Sequence, residues 1–448
     1  MGTTFGYARA IDDAYIGYRI DGEGPIDIVQ QPDWPGNIDQ EWDEEWNAEW
    51  LSALGSLGRV IMHDHRGVGL SSRNVALPTL ETRVADLFSV LDAVRAEDPV
   101  MVGYLSTGAV NALACASRPG FARALVWVDP APRYARAIDY PWGRSAQDLE
   151  DEIDRIAGWG TEDYASWFWK DQAETGFAFE ADDAVAWLSK ASRNACTPDV
   201  AAELARIWYD TDVRGALPSV RTPTLLIAHE EAETLAQAEM VAELIGSAEL
   251  LVMPSTRWTS EEHGYALDAI RRFIGVARPP VELDAILATV LFTDIVDSTP
   301  KQASLGDAGW KDLIERHHAI VRDCLARWHG TENDTAGDGF YATFEGPARA
   351  IRCAQEIGDR VQTLGIEIRA GVHTGECELI DGKVGGLAVT IGARIASSAG
   401  ASEVLVSQTV KDLVAGSGLS FDDVGERALK GVPGLWRIYR VGGMTPTR

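Results

Sequence analysis

The chain has 448 residues, 46% hydrophobic and 24% charged. That balance excludes a globally disordered chain, and at roughly 100–200 residues per domain the length predicts two or three domains. Basic residues number 40 against 68 acidic ones, a net charge of −28, which argues against a nucleic-acid partner or an anionic membrane surface. The cysteines Cys115, Cys196, Cys324, Cys353 and Cys377 are scattered and form no CxxC, as expected of a reducing, cytoplasmic setting. The N-terminus has no basic-then-apolar leader pattern, and no apolar run reaches the length of a membrane span.

In chain order, apolar strand-like runs occur at 26–29, 59–64, 99–104, 124–129, 222–229 and 248–254. Helix-length segments lie between them at 81–95, 108–117, 233–245 and 262–275. Such alternation predicts a mostly parallel sheet covered by helices. Residues 142–215 interrupt the rhythm; they are helical in pattern, Trp-rich and acidic, and predict an inserted cap. Trp42, Trp46 and Trp50 recur at i, i+4 and i+8, one face of a helix. With Trp34 they read either as core or as the aromatic wall of a ligand pocket. Pro279 and Pro280 stop the last helix of this half. The predicted organisation is a first domain over 1–278, a linker over 279–285 and a second domain over 286–448.

The second half mixes elements differently. A buried strand is predicted over 286–294, a helix over 307–328, a hairpin over 337–346, a helix over 347–363 and a strand over 367–376. A helix near 388–399 and strands near 403–407 and at 435–441 complete it. In LFTDIVDST (291–299) the strand ends in Asp294, and a polar turn at Asp297 starts a helix. Asp338 sits in the tight turn AGDGF. Two carboxylates on adjacent turns can hold two divalent cations about 3.5–4 Å apart, and the amides of a helix start suit a phosphate.

HDHRGVGLSS (63–72), VGYLSTGAV (102–110) and VWVDPAP (126–132) make the first half resemble the α/β-hydrolase fold, a doubly wound, mostly parallel sheet with a helical cap. The resemblance places a nucleophile elbow at 102–115, where that family reads G-x-S-x-G. Aligned on Gly103, the nucleophile position falls on Leu105, which has no attacking group. A shift of one residue brings Ser106 there behind a bulky Tyr104; the other reading of Ser106 is a helix N-cap. Glu231 and Glu233 are the nearest candidates for the acid. The histidine position falls on Trp258, with His263 five residues later in a helix-like pattern. A working relay needs all three groups within reach, so Leu105, Ser106, Glu233 and Trp258 mark a vestigial site. His63 and His65 read as structural. The role left to such a frame is to hold a small-molecule ligand under its cap or to support dimerisation.

LFTDIVDST, TAGDGFYATF, GVHTGE, GLAVTIGARIA and ERALKGVPGLWRIYRV make 286–442 resemble the catalytic domain of class III nucleotide cyclases, an α+β, ferredoxin-like fold. A hydrolase-like domain followed by such a domain resembles an arrangement found among actinobacteria. The resemblance implies that the ribose 3′-hydroxyl of ATP or GTP attacks its own α-phosphorus and releases pyrophosphate, with two divalent cations, Mg2+ or Mn2+, as cofactors. It also implies a head-to-tail homodimer, with metal acids from one subunit and base-reading and transition-state residues from the other. Carried onto this chain, metal binding falls to Asp294, Ile295 and Asp338, transition-state stabilisation to Arg394, the triphosphate to Lys430, and nucleotide contact to Phe292. Three positions depart from the family. Asp334 replaces a base-reading lysine, Lys383 an aspartate, and Thr390 an asparagine. The first two read either as an exchanged donor–acceptor pair or as a plain salt bridge. Threonine keeps a hydroxyl donor of shorter reach. The leading expectation is an adenylate cyclase of weak activity. The alternatives are a cyclase-like domain that binds nucleotide without turnover, and an esterase with a regulatory cyclase domain.

Overall fold

Strand backbones must pair their polar groups when buried, and in the first half of the chain eight strands do so in one sheet. The computed structural model describes residues 2–442 except 33, 35, 74, 174–180, 231, 255–259, 277–284 and 381–382. The side chains of residues 45, 46, 169–173, 181–183, 232, 260, 261, 276, 380 and 383 also lie outside the description. So does most of the expected linker, 279–284. Two compact units divide the chain, Met1–Val281 and Glu282–Arg448.

The first unit opens on an antiparallel pair, β1 (Thr3–Arg9) and β2 (Tyr15–Asp21). No apolar run marks β1, because most of its residues are exposed at the sheet edge. Then β3 (Asp27–Gln30), α1 (Glu45–Gly55), β4 (Arg59–His63), α2 (Leu80–Val94), β5 (Val100–Tyr104), α3 (Leu105–Ser117) and β6 (Ala124–Val128) alternate. Four helices follow: α4 (Ala146–Ile156), α5 (Glu162–Ala173), α6 (Ala181–Ala195) and α7 (Pro198–Tyr209). The unit closes with β7 (Thr224–His229), α8 (Ala232–Ile245), β8 (Glu249–Met253) and α9 (Ser260–Val276). The sheet order is β1-β2-β4-β3-β5-β6-β7-β8. All pairs from β4 onward are parallel. β6 is buried at every residue, the pattern of a strand covered on both faces. On one face α1 and α9 pack over Ile28, Met62, Val102 and Val126.

The tryptophan stripe is not one helical face. Trp42 precedes α1, whose N-cap is Glu44, and the Trp46 side chain lies outside the described residues. Trp50 is core, and its Nε1 donates to Gln30 Oε1 at 2.9 Å. Trp34 joins the helices after β6, with its ring centroid 4.9 Å from those of both Trp159 and Trp208.

The second unit runs β9 (Ala285–Ile295), α10 (Ser298–Arg327), β10 (Thr331–Ala336), β11 (Gly339–Phe344), α11 (Pro347–Val361), β12 (Ile368–Ile380), β13 (Lys383–Gly385) and α12 (Leu387–Ser397). It ends with β14 (Val404–Ser407), α13 (Gln408–Leu413), β15 (Phe421–Ala428) and β16 (Leu435–Val441). The order is β10-β11-β9-β12-β14-β16-β15, with β13 hairpinned onto β12. α10 is longer than the expected 307–328, because an extra segment precedes a break at Gly306 (φ 67°, ψ 171°). Alternation along β9 divides its side chains. Leu291 and Ile295 join α10 and α11 in the core with Phe340, Ile351 and Ile357. Phe292 and Asp294 lie on the other face, where Ala388 of α12 packs with Ala288 and Val290.

Buried neutral histidines tie stability to pH. Burial pushes His63 and His373 down to about 3, and His263 and His317 down to about 4. Unfolded histidine titrates near 6.5, so unfolding takes up protons below that value, and stability falls as pH drops from about 6.5 toward 4. Each histidine is expected to contribute a slope of about 1.4 kcal/mol per pH unit in that window. Urea melts of the full chain at several pH values check this. His373→Gln should lower the slope of the second unit's transition by one proton, and an unchanged slope would contradict the assignment.

Candidate active site

In the first unit, β5 runs straight into α3. Tyr104 is the N-cap and Leu105 the first helical residue, so the helix starts three residues before the expected 108. Leu105 has φ 40°, in the left-handed region that costs a non-glycine residue about 1–2 kcal/mol. This is a strained elbow that carries an apolar side chain where an attacking group would stand. The turn needs small neighbours, since a Cβ on Gly103 would lie 2.5 Å from Gly108 backbone atoms.

Ser106 is buried in the first turn of α3 and is not its N-cap, which corrects the expectation. The histidines nearest in role bond elsewhere. His65 Nε2 lies 3.2 Å from Arg83 Nη2, and His263 packs against Trp50 at a centroid distance of 5.3 Å. Burial, reinforced by the Arg83 guanidinium, keeps His63 and His65 neutral. Glu233 is exposed in the first turn of α8. Trp258 and Glu231 lie outside the described residues. The sequence reading missed a pair at the ends of β6 and β7, where His229 Nδ1 lies 3.0 Å from both carboxylate oxygens of Asp129. A small pocket between the elbow and α7 is lined by Arg83, Ser106, Arg133, Tyr134, Trp208 and Thr211, among others.

In the second unit, three strands bring the acids together. Phe340 pairs with Thr293 and Ala336 with Gly339, which leaves Gly337-Asp338 as a two-residue hairpin loop beside the end of β9. Gly337 has φ 63°, the positive φ that such a turn demands of its first residue. A Cβ on Gly339 would lie 3.8 Å from Asp294 Oδ1, so Asp294 and the Asp338 turn are neighbours. Asp338 Oδ2 is buried and has no hydrogen-bond partner among the described residues. Asp294 Oδ2 accepts from Arg369, at 2.5 Å from Nη2 and 3.1 Å from Nε. Ile295 has its side chain in the core, so only its backbone carbonyl could serve a cation.

Phe292 stacks on Tyr341 at 4.7 Å with 4° between the planes. Tyr341 pairs with Asp334 on its other side, and its hydroxyl donates to Val384 O at 3.0 Å. Asp334 is exposed, and its Oδ1 accepts from the Thr335 amide. The Lys383 side chain lies outside the described residues. Thr390 Oγ1 bonds back to Gly386 O at 3.4 Å. Arg394 Nε donates to Lys430 O at 3.0 Å. The acids lie on β9 and the β10–β11 turn and Arg394 lies on α12 beside Lys430, with Phe292 between them, since a Cβ on Gly392 of α12 would lie 3.3 Å from its ring. Among the described residues no hydrogen bond or ion pair joins Arg394 or Lys430 to Asp294 or Asp338.

A family model for the alpha/beta hydrolase fold matches residues 34–263, more than half of the chain. A model for the adenylate and guanylate cyclase catalytic domain matches residues 284–443. The chain belongs to the α/β-hydrolase fold family and carries a class III cyclase catalytic domain. The hydrolase domain is similar to a probable esterase of Oryza sativa, 27% identical over 211 residues, 44% of this chain and 73% of that protein. A receptor-type adenylate cyclase, GRESAG 4.3 of Trypanosoma brucei, is 25% identical over 207 residues; the match covers 35% of this chain and only 17% of that protein. A bromoperoxidase from Bacillus anthracis shares the hydrolase fold, with a TM-score of 0.50 at 19% identity, over 61% of this chain and all of that one. No helix among the described residues is long and apolar enough to cross a membrane.

The cyclase domain's donor set fits hard divalent cations. It offers two carboxylates, one with an orphaned buried oxygen, and among the described residues no three His, Cys, Asp or Glu side chains are grouped so that they could hold a metal ion. Mg2+ suits such a site, since it typically takes one or two carboxylates and fills its shell with water and substrate phosphate. Of the hydrolase domain we predict that Ser106→Ala leaves p-nitrophenyl acetate turnover by the purified chain within about twofold of wild type, whereas a loss of about tenfold would make Ser106 a nucleophile.

Proposed function

We propose that the chain is a nucleotide cyclase that converts ATP, or GTP, to the 3′,5′-cyclic monophosphate and pyrophosphate. The observation that carries this reading is the adjacency of Asp294 and Asp338, with one carboxylate oxygen buried and unbonded. These two residues would hold the cations, which when bound supply charge neutralisation on phosphate oxygens and a more acidic hydroxyl nucleophile. The amides of Ser298 and Thr299 head α10 behind Asp297, which makes no side-chain cap, and favour phosphate there. Phe292, flattened against Tyr341, offers an apolar wall to a purine. The O3′–Pα bond forms as the bond from Pα to the pyrophosphate oxygen breaks, and the hydroxyl proton leaves to solvent.

Arg394 and Lys430 carry positive charge suited to the phosphorus and the triphosphate. Neither is bonded to Asp294 or Asp338 among the described residues, which is consistent with a head-to-tail homodimer in which each subunit supplies half of two sites. The hydrolase domain, with leucine at its elbow, is read as a non-hydrolytic module that binds a small molecule in the pocket under α7 or assists dimerisation. A second reading, nucleotide binding without turnover, draws on Thr390, whose hydroxyl is engaged within its own helix.

Cyclic nucleotide formation by the full-length chain with Mn2+ or Mg2+ tests the proposal. Asp294→Ala and Asp338→Asn are each expected to lower product formation by about 100-fold or more. Bound nucleotide without product in either metal would establish the second reading.

A further inference from the structure

Arg369 stands directly opposite Asp294 on β12, and directly opposed residues of an antiparallel pair project from the same face. Both guanidinium donors reach a single oxygen, Oδ2, while Oδ1 faces the Asp338 turn. Both side chains are about a third exposed, at 36% each. The two acids are therefore treated unequally. Asp294 is neutralised by a resident cation, and Asp338 keeps a buried oxygen without a hydrogen bond.

We propose that Arg369 is the resident counter-cation of the metal site: it holds Asp294 while no metal is bound, and its release sets the affinity with which a divalent cation takes that carboxylate. This rests on the reading of Asp294 as a metal acid. A guanidinium has donors only and no lone pair, so it cannot bridge a carboxylate oxygen and a cation. A divalent ion held by the Asp294 carboxylate would meet a unit positive charge within a few ångströms for as long as the guanidinium stays. The exchange keeps the metal-free site near neutrality and raises the cation concentration at which it fills. Arg369 is a positioning residue here, and its effect is on metal occupancy rather than on the reacting atoms.

The test is Mn2+ binding to the nucleotide-free full chain, read by electron paramagnetic resonance of the free ion. Arg369→Gln is expected to bind Mn2+ about tenfold more tightly than wild type, with Arg369→Lys between them and Asp294→Ala non-binding. Equal or weaker binding by Arg369→Gln, beside a wild type that binds, overturns the proposal and leaves the metal reading intact. Failure of both wild type and variant to bind, nucleotide-free and again with a non-reactive triphosphate analogue present, removes the metal reading itself, and the proposal with it. Should the variants misfold, the Nε–H resonance of Arg369 in the wild type serves instead. It should move to the position of an unpaired guanidinium as Mg2+ is added, and an unmoved resonance overturns the proposal.

Discussion

The second unit depends on backbone register. It brings two carboxylates, Asp294 and Asp338, to one end of a sheet, and their placement is set by strand pairing rather than by side-chain freedom. β9 pairs with β11 on one side and β12 on the other. That three-strand register delivers Asp294, the Asp338 turn and Arg369 to one place. The core beneath it, in which Leu291, Ile295, Phe340 and Ile368 join α11, holds the register by burying alternate residues. A one-residue slip would send Asp294 into that core and Thr293 to the site. The pairing is therefore enforced by hydrophobic burial, and the same register sets the Arg369 guanidinium against Asp294.

The first unit shows the opposite separation of strain and chemistry. Its elbow still bends a non-glycine residue into positive φ at Leu105, and Trp127 Nε1 still donates to the Leu105 carbonyl at 2.8 Å. The backbone geometry of a nucleophile turn is retained with no nucleophile on it. An acid–histidine pair survives nearby as Asp129 and His229. Such an arrangement shapes a pocket beside the elbow, which suits the proposed reading of this domain as a binding module.

Much of this was legible in the sequence, and the limits have physical causes. Fully buried strands and amphipathic helices announce themselves by periodicity, and their positions agree with the structure to within a few residues except at the start of α10, which lies well before the expected 307. The edge strands β1 and β15 do not, because FDDVGERA and TTFGYAR expose most of their side chains. Asp294 and Asp338 were readable because a strand end and a glycine-flanked turn are local signals. Arg369 was not, because its partner lies 75 residues away and is defined only by register. The Asp129–His229 pair, 100 residues apart, escaped for the same reason. Ser106 misleads as a helix cap, because the helix begins one residue earlier than its own position, behind Tyr104, and Glu233 is exposed in the first turn of α8.

In the proposed homodimer each chain would carry two half-sites that only a second copy completes. Mixing Asp294→Ala with Arg394→Ala tests it most directly, since each homodimer lacks a required group in both sites while the mixed dimer has one intact site. Equal mixing after subunit exchange is predicted to restore about a quarter of wild-type cyclic nucleotide production from two inactive proteins. A mixture that exchanges subunits and stays inactive would contradict the account.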